Sequence, residues 1–243
     1  MKGERREREN ITNKPIVILI GGGSRLPAIW EYTNTPDAGA YISLVVSHKK
    51  EASGIRFALE RKIPAIYFNF AQWKAKTGKD RPEYMEALGF LISQSNYKPE
   101  LVVAAGWDII LLPEFLRYFK RPDGYCNVIN LHPAPLPNEV GAKTVKLSDG
   151  TEVPVIKGEI DEVLPQVLKL GVKKWGSTVH FLTEKVDEGP VIVRSEVDVL
   201  PDDTLDSLKE RLQKAEDELL PRAISLLVKD KVRIENGRVV IVE

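Results

Sequence analysis

Ile16-Val17-Ile18-Leu19-Ile20-Gly21-Gly22-Gly23 is an unbroken apolar run that ends in three glycines. Five consecutive aliphatic residues without polar alternation are typical of a strand that is buried on both faces, as the strands of parallel sheets are. The glycines permit a tight turn, after which Ser24 can cap a helix that tolerates Pro27 in its first turn. The stretch therefore predicts the first strand and helix of an α/β fold.

The first half of the chain repeats this alternation of strand and helix. Further strands are predicted at residues 42–46, 65–68 and 101–105, and helices at 52–62 and 82–95. Such alternation predicts a Rossmann-like, open and mostly parallel sheet with helices on both faces. Right-handed crossovers place the carboxyl ends of the strands at one edge, where we expect a ligand site.

The second half predicts a different set of elements. In chain order they are a hairpin within 143–156, a helix at 159–170, strands at 177–182 and 190–199, a long helix from Thr204 to about 228, and a C-terminal β-hairpin closed by Asn236-Gly237. We see no internal repeat or linker. We therefore predict a single domain at 15–243 after a charged, flexible tail at 1–14.

The composition narrows the class of function. The 35 basic residues balance the 35 acidic ones, so bulk charge does not indicate a nucleic acid or an anionic membrane as partner. Three histidines and the lone Cys126 show no metal-ligand spacing, and we expect no metal. One cysteine cannot form an internal disulfide, which predicts a cytoplasmic protein. No apolar run approaches the roughly 20 residues that span a bilayer.

Asn130 and His132 are the first candidates for chemistry. They lie two residues apart in an extended segment, so their side chains point to the same side. A carboxamide and an imidazole aimed at one point suit an oxyanion that forms on a carbonyl carbon. The alternative is a strand that ends in a turn, where both side chains satisfy local backbone groups.

Asp187 is the best candidate for a site carboxylate. It begins the turn Asp187-Glu188-Gly189-Pro190, between two predicted strands. An aspartate there can collect a proton from an attacking amine, directly or through water. The alternative is that this sequence merely forms a good turn.

The glycine-rich loop predicts a phosphate site. Glycines let a phosphate approach the backbone, and the amino terminus of the following helix offers free N–H groups. Gly22, Gly23 and Ser24 would supply this backbone, and Arg25 would add a guanidinium. Leu26 stands where the dinucleotide fingerprint needs its third glycine, so that motif is absent. A tight turn with a surface arginine is the alternative.

Several motifs together resemble the formyltetrahydrofolate-dependent formyltransferase family. They are Gly22-Gly23-Ser24-Arg25-Leu26, Ala105-Gly106-Trp107, Asn130-Leu131-His132-Pro133, Gly176-Ser177-Thr178-Val179-His180 and Asp187-Glu188-Gly189-Pro190. The resemblance covers nearly the whole chain from Ile16 onward. Each motif alone is unspecific, but the ordered set is characteristic of the family.

The resemblance implies an enzyme that uses 10-formyltetrahydrofolate as formyl donor and a phosphorylated amine as acceptor. It is greatest to members that formylate glycinamide ribonucleotide in purine synthesis. It implies that Asn130 and His132 stabilise the oxyanion and that Asp187 handles the proton. Gln213 and Glu216 would lie near the ribose. The folate would contact Trp107, Asp108, Ile109, Ile110, Leu111, Thr183 and Val186.

Three departures from the family pattern leave the acceptor open. Asn138-Glu139 replaces a basic and an aromatic residue, Asp108-Ile109 replaces Met-Arg, and residues 143–164 form an insertion that contains the predicted hairpin. An amino sugar nucleotide is therefore an alternative acceptor. A non-catalytic folate- or nucleotide-binding protein is an alternative of another class. The resemblance also leaves a homodimer open.

Overall fold

A seven-stranded sheet forms the centre of the molecule, in a computed structural model that describes residues 13–94 and 96–242. The strands of the structure are β1 (Lys14–Ile20), β2 (Ala40–Ser47), β3 (Ala65–Tyr67), β4 (Leu101–Ala104), β5 (Val128–His132), β6 (Thr144–Lys146), β7 (Glu152–Pro154), β8 (Lys174–Phe181), β9 (Val191–Asp198), β10 (Val232–Glu235) and β11 (Arg238–Ile241). The order in the large sheet is β3-β2-β1-β4-β5-β8-β9. Pairing is parallel from β3 to β5, and antiparallel between β5 and β8 and between β8 and β9. The prediction of an open, mostly parallel sheet is confirmed.

Helices cover both faces of this sheet. They are α1 (Leu26–Thr33), α2 (Ser53–Glu60), α3 (Phe70–Thr77), α4 (Arg81–Ser93), α5 (Pro113–Leu116), α6 (Ile160–Leu170) and α7 (Leu205–Val228). Alternate residues of β1 belong to two separate cores, because side chains alternate along a strand. Ile16, Ile18 and Ile20 pack into a first cluster with α1 and α7. Val17 and Leu19 pack into a second cluster with α4 and α5.

The predicted insertion carries a third apolar cluster. The two-stranded sheet β6–β7 is antiparallel, as predicted, and forms the hairpin. Val145, Leu147 and Val153 are buried there against Trp175 of β8 and Leu212 of α7. The hairpin is therefore packed onto the body of the molecule. The C-terminal hairpin β10–β11 is also present, as predicted.

The start of α1 differs from the prediction. Arg25 occupies the N-cap position, and no side chain caps this helix, so the expected cap by Ser24 is wrong. The reason is that the Leu26 N–H donates to the Gly23 carbonyl at 3.1 Å, which satisfies the donor that a serine cap would serve. Pro27 lies in the first turn, as expected.

The amino-terminal boundary can be examined only in part. Residues 1–12 of the predicted tail lie outside the described residues, and β1 already begins at Lys14. Within the described residues, no helix is both long and apolar enough to cross a membrane.

Candidate active site

A cavity of about 480 Å³ opens at the edge where β1, β4 and β5 end. It brings together most of the predicted site residues, namely Ser24, Arg25, Trp107, Asp108, Ile109, Ile110, Leu111, Asn130, His132, Thr183, Val186, Asp187, Gln213 and Glu216. Gly22 and Gly23 precede Ser24 and do not line this cavity. The parallel topology thus gathers segments that are far apart in the sequence, as the position of the strand ends predicts.

Asn130 and His132 lie at the end of β5 and both line the cavity. The strand register sets Asn130 beside Ala104 of β4 and opposite His180 of β8. The His132 ring is 3% exposed, and its Nε2 donates to the backbone carbonyl of Ile156 at 2.8 Å. That carbonyl comes from the predicted insertion, so its contact with His132 has no signal in the sequence.

Asp187 lies between two imidazoles. Its Oδ2 is 3.6 Å from Nδ1 of His132, and its Oδ1 is 3.6 Å from Nε2 of His180. Both distances exceed the length of a hydrogen bond, so the carboxylate keeps acceptor capacity toward a ligand. Asp187 also adopts a left-handed backbone with φ +56°. A non-glycine residue in that conformation is uncommon and often marks a functional site.

His180 also faces the site, although the sequence analysis names it only as the last residue of a family motif. It is fully buried, and burial lowers its pKa to about 4 while Asp187 acts in the opposite direction. The ring is therefore neutral near pH 7. Its Nδ1 donates to the carbonyl of Phe181 at 2.9 Å, which leaves Nε2 as an acceptor. Among the described residues this Nε2 has no hydrogen-bond partner, and it faces Asp187.

Arg25, Gln213 and Glu216 meet at another part of the cavity wall. The Arg25 guanidinium donates to the Gln213 carbonyl at 2.5 Å and to Asp217 at 2.6 Å. Its Nε lies 3.6 Å from Glu216, whose carboxylate accepts a 2.7 Å hydrogen bond from Ser177. Burial raises the pKa of Glu216. Arg25 is therefore already paired with carboxylates, and a phosphate would have to share its guanidinium.

Lys49 lines the cavity and His48 precedes it in the chain; the sequence analysis selected neither residue. The Lys49 ammonium lies 2.6 Å from Asp108, and His48 contacts the same carboxylate at 2.5 Å. The His48 ring packs edge-on against Trp107, with centroids 4.8 Å apart. Burial lowers the pKa of His48. Asp108, which departs from the family pattern, thus joins the loop after β2 to the loop after β4.

The glycine loop packs against the first turn of α2. Gly23 has φ +98°, and a Cβ added there would lie 2.6 Å from Cα of Gly54. The Gly54 N–H donates to the Gly22 carbonyl at 3.0 Å. Gly22 itself is exposed, and a Cβ there would meet nothing within 4 Å. The loop is thus packed against α2 through Gly23, while Gly22 is open to the solvent.

The remaining walls of the cavity are apolar in one part and acidic in another. Leu111 is buried, whereas Ile110 and Val186 are 50% and 41% exposed, which gives an apolar surface beside the Thr183–Asp187 turn. Residues 158–162 at the start of α6 add carboxylates, which the sequence analysis did not select. Burial and the nearby Asp108 raise the pKa of Glu159. Within the described ranges, no group of three or more histidine, cysteine, aspartate or glutamate side chains could hold a metal ion.

Comparison with known proteins identifies the family. A model of the formyl transferase family matches residues 13–151 and 154–224. The chain belongs to the formyl transferase family. The family that the sequence motifs indicated is therefore confirmed. The match is interrupted only at 152–153, inside the hairpin of the predicted insertion.

Similar family members carry names from purine synthesis. Phosphoribosylglycinamide formyltransferase of Dictyostelium discoideum is 30% identical over 214 residues, which cover 87% of this chain and 96% of the relative. The trifunctional purine biosynthetic protein adenosine-3 of Gallus gallus is 31% identical over 227 residues. This match covers 93% of the chain, which spans only 20% of that longer protein. Among solved structures, glycinamide ribonucleotide transformylase 1 from Symbiobacterium toebii superposes with a TM-score of 0.78 at 28% identity, and the match covers all of both chains.

Proposed function

We propose that this chain transfers the formyl group of 10-formyltetrahydrofolate to the primary amine of glycinamide ribonucleotide, in cytoplasmic purine synthesis. One observation carries the proposal. Asp187 faces His132 on the wall that also presents Asn130, and its carboxylate oxygens are both too far from the imidazoles to be hydrogen-bonded. A proton acceptor beside two donors is what acyl transfer to an amine needs.

The first step forms a tetrahedral intermediate. The amine nitrogen attacks the formyl carbon, a C–N bond forms, and the carbonyl π electrons move to oxygen. Asn130 donates to this oxyanion through its side-chain amide. The His132 Nε2–H is held by the Ile156 carbonyl, so the imidazolium donates through Nδ1–H, which has no hydrogen bond to Asp187 at 3.6 Å. Removing one such donor usually costs about 10²–10³ in rate.

The second step returns the protons and breaks the donor bond. Asp187 takes a proton from the attacking nitrogen, directly or through water. Protonated Asp187 can donate a hydrogen bond to the free Nε2 of His180, 3.6 Å away, after a small approach. The oxyanion then re-forms the carbonyl, the C–N bond to N10 breaks, and the proton held by Asp187 passes to N10, directly or through water, as tetrahydrofolate leaves. This route balances without a metal or a covalent enzyme intermediate.

The substrates follow from the chemistry of the walls. The phosphate of the acceptor would lie on the loop of Gly22, Gly23, Ser24 and Arg25, with Lys49 as a second cation. Gln213 and Glu216 would face its ribose. The folate ring would lie on the apolar surface of Trp107, Ile109, Ile110 and Leu111, against Thr183 and Val186, with Asp108 at its edge.

An amino sugar nucleotide is a second candidate acceptor, favoured by one observation. Residues 158–162 line the same cavity as Asp108, and burial, together with the nearby Asp108 carboxylate, raises the pKa of Glu159. Carboxylates accept hydrogen bonds from sugar hydroxyls. An acidic wall in the cavity that Ser24 and Arg25 also line therefore suits an acceptor with more hydroxyls than a single ribose.

One assay separates these functions. The protein is supplied with 10-formyltetrahydrofolate, with and without glycinamide ribonucleotide, and release of the deformylated cofactor is followed by absorbance. Release that depends on the acceptor supports the proposal. Equal release without acceptor indicates a hydrolase. No release, with folate binding intact by calorimetry, favours the amino sugar nucleotide, which is then tested directly, or a protein that only binds.

A further inference from the structure

Two consecutive residues of the predicted insertion contact both sides of the His132–Asp187 pair. The backbone carbonyl of Ile156 accepts the hydrogen bond from His132 Nε2 at 2.8 Å. The next residue, Lys157, donates from Nζ to the carbonyl of Val186 at 2.8 Å and to Glu188 at 3.2 Å. Val186 and Glu188 are the two neighbours of Asp187 in the chain. The predicted insertion thus contacts the His132 imidazole and both residues that flank Asp187 in the chain.

The segment that makes these contacts is anchored. The Ile156 side chain is buried in the same cluster as Val145 and Val153 of the hairpin. On the outer side, Ser148 donates to Glu196 of β9 through its backbone N–H at 3.1 Å and its hydroxyl at 2.5 Å. The hairpin is therefore tied to the central sheet, and it can hold the Ile156 carbonyl at a fixed position.

The contact of Ile156 selects which ring nitrogen of His132 reacts. A carbonyl can only accept, so it fixes Nε2 as a protonated donor and prevents a flip of the ring. Nδ1 is then the nitrogen on the side of Asp187. In the imidazolium form Nδ1 carries the second ring hydrogen, which the proposed oxyanion needs. The carbonyl therefore orients the ring without touching the reacting atoms.

Lys157 stabilises the turn that carries Asp187, the other member of the pair. Asp187 has a left-handed backbone, which a non-glycine residue holds only when its surroundings fix it. The Lys157 ammonium binds the carbonyl just before Asp187 and the carboxylate just after it. Its side chain is 46% exposed, so the ion pair with Glu188 is screened and contributes little to global stability. Its contribution is local, at the turn.

We propose that Ile156 and Lys157 form a positioning clamp for the His132–Asp187 pair, with Lys157 as a positioning residue for formyl transfer. The inference rests on the proposed function and extends it to the insertion, whose role the sequence left open. The clamp fixes the ring through one backbone carbonyl and the turn through one ammonium. It transfers no proton and binds no substrate.

The kinetic test compares three variants. Lys157→Met removes the donor at similar length, Lys157→Arg keeps a donor, and Lys146→Met is the control, since it removes an exposed lysine from β6 of the same hairpin. Displacing a catalytic pair by a fraction of an ångström should lower kcat about 10-fold to 100-fold, with KM for both substrates within about twofold. Lys157→Arg should recover most of kcat, and Lys146→Met should match wild type. A Lys157→Met enzyme with wild-type kcat would overturn the clamp.

A second measurement does not depend on turnover. The chain has only three histidines, so ¹⁵N-histidine labelling gives a spectrum in which each ring can be assigned. A ring N–H bonded to a buried carbonyl exchanges slowly with solvent. We expect the His132 Nε2–H to exchange slowly in all three proteins, because Ile156 is anchored without Lys157. The ¹⁵N shift of His132 Nδ1, which faces Asp187, should change in Lys157→Met and stay at the wild-type value in Lys146→Met. Fast exchange of Nε2–H in the wild type, or an unchanged Nδ1 shift in Lys157→Met, would refute the clamp even if the wild-type protein formylated no acceptor, an outcome that would refute the proposed function separately.

Discussion

Asp187 combines a chemical role with a backbone conformation that allows a clean substitution. Asparagine is nearly isosteric and tolerates positive φ well, but its amide cannot take up a proton. We expect Asp187→Asn to lower kcat by about 10³ or more while the melting temperature stays near that of wild type. Asp230→Asn is a matched control, because Asp230 has the same φ of +56° and lies away from the cavity. Near wild-type turnover in Asp187→Asn would remove this carboxylate from the mechanism.

His180 predicts a specific dependence of stability on pH. Its folded pKa of about 4 lies below the usual 6.5, because the ring is fully buried. Between these values the unfolded chain binds a proton that the folded chain does not, so stability is full above pH 6.5 and is lost as pH falls toward 4. This single group should cost about 2 kcal/mol between pH 7 and pH 5. Urea titrations of wild type and His180→Gln at both pH values measure it; equal losses in the two proteins would contradict the assignment.

The sequence located the side chains of the proposed chemistry but not their partners. Asn130 and His132 were predictable because a two-residue spacing on a strand fixes a common face, and Asp187 because its turn is confined by Pro190. The position of His180 opposite Asn130 depends on the antiparallel pairing of β5 with β8, which no local pattern determines. The Ile156 carbonyl is a backbone group, and every residue has one. Its contact with His132 exists only in the tertiary structure.

At the scale of elements, alanine substitutions at Gly23 and Gly22 of the glycine loop should differ in their effect on stability. Gly23 has φ +98° and would place a Cβ 2.6 Å from the Gly54 backbone, so Gly23→Ala must displace α2. We expect it to lower the free energy of unfolding by at least about 1–3 kcal/mol. Gly22→Ala is the control, since its Cβ has open space, and it should change stability by less than about 1 kcal/mol. Denaturant titration decides, and equal effects would show that loop packing does not depend on Gly23.

Elements with strong local signals were predicted with accurate bounds. Thr204 caps α7 through the Ser207 N–H, and Asn236-Gly237 closes the β10–β11 hairpin, because both motifs satisfy the backbone locally. Two helices were not predicted. The helix α3 has no fully buried residue and thus no apolar periodicity, although Asn69 caps it. The helix α5 has four residues, too few to show a period. Such short or exposed helices are stabilised by their tertiary contacts, which the local sequence does not reveal.

At the scale of the whole molecule, α7 connects two of the three apolar clusters. Its first turns place Leu208 and Leu212 in the cluster of the inserted hairpin. Its later turns place Leu220 and Ile224 in the cluster beneath β1. A rigid helix that belongs to both cores should make them unfold together. The predicted single domain at 15–243 can be tested through this connection.

Leu212→Ala is the informative change, because Leu212 is fully buried and lies on the hairpin side of α7. Truncating a buried leucine to alanine costs about 2–5 kcal/mol. If the chain is one cooperative domain, Leu212→Ala should lower the protection from hydrogen exchange equally in peptides from β1 and from β6–β7, as measured by mass spectrometry. Leu205→Ala, in the first turn of the same helix but 44% exposed, should leave both protected. A loss of protection confined to β6–β7 would instead show that the hairpin unfolds as a separate unit. The residues that contact His132 and the Asp187 turn could then open while the central sheet stays folded.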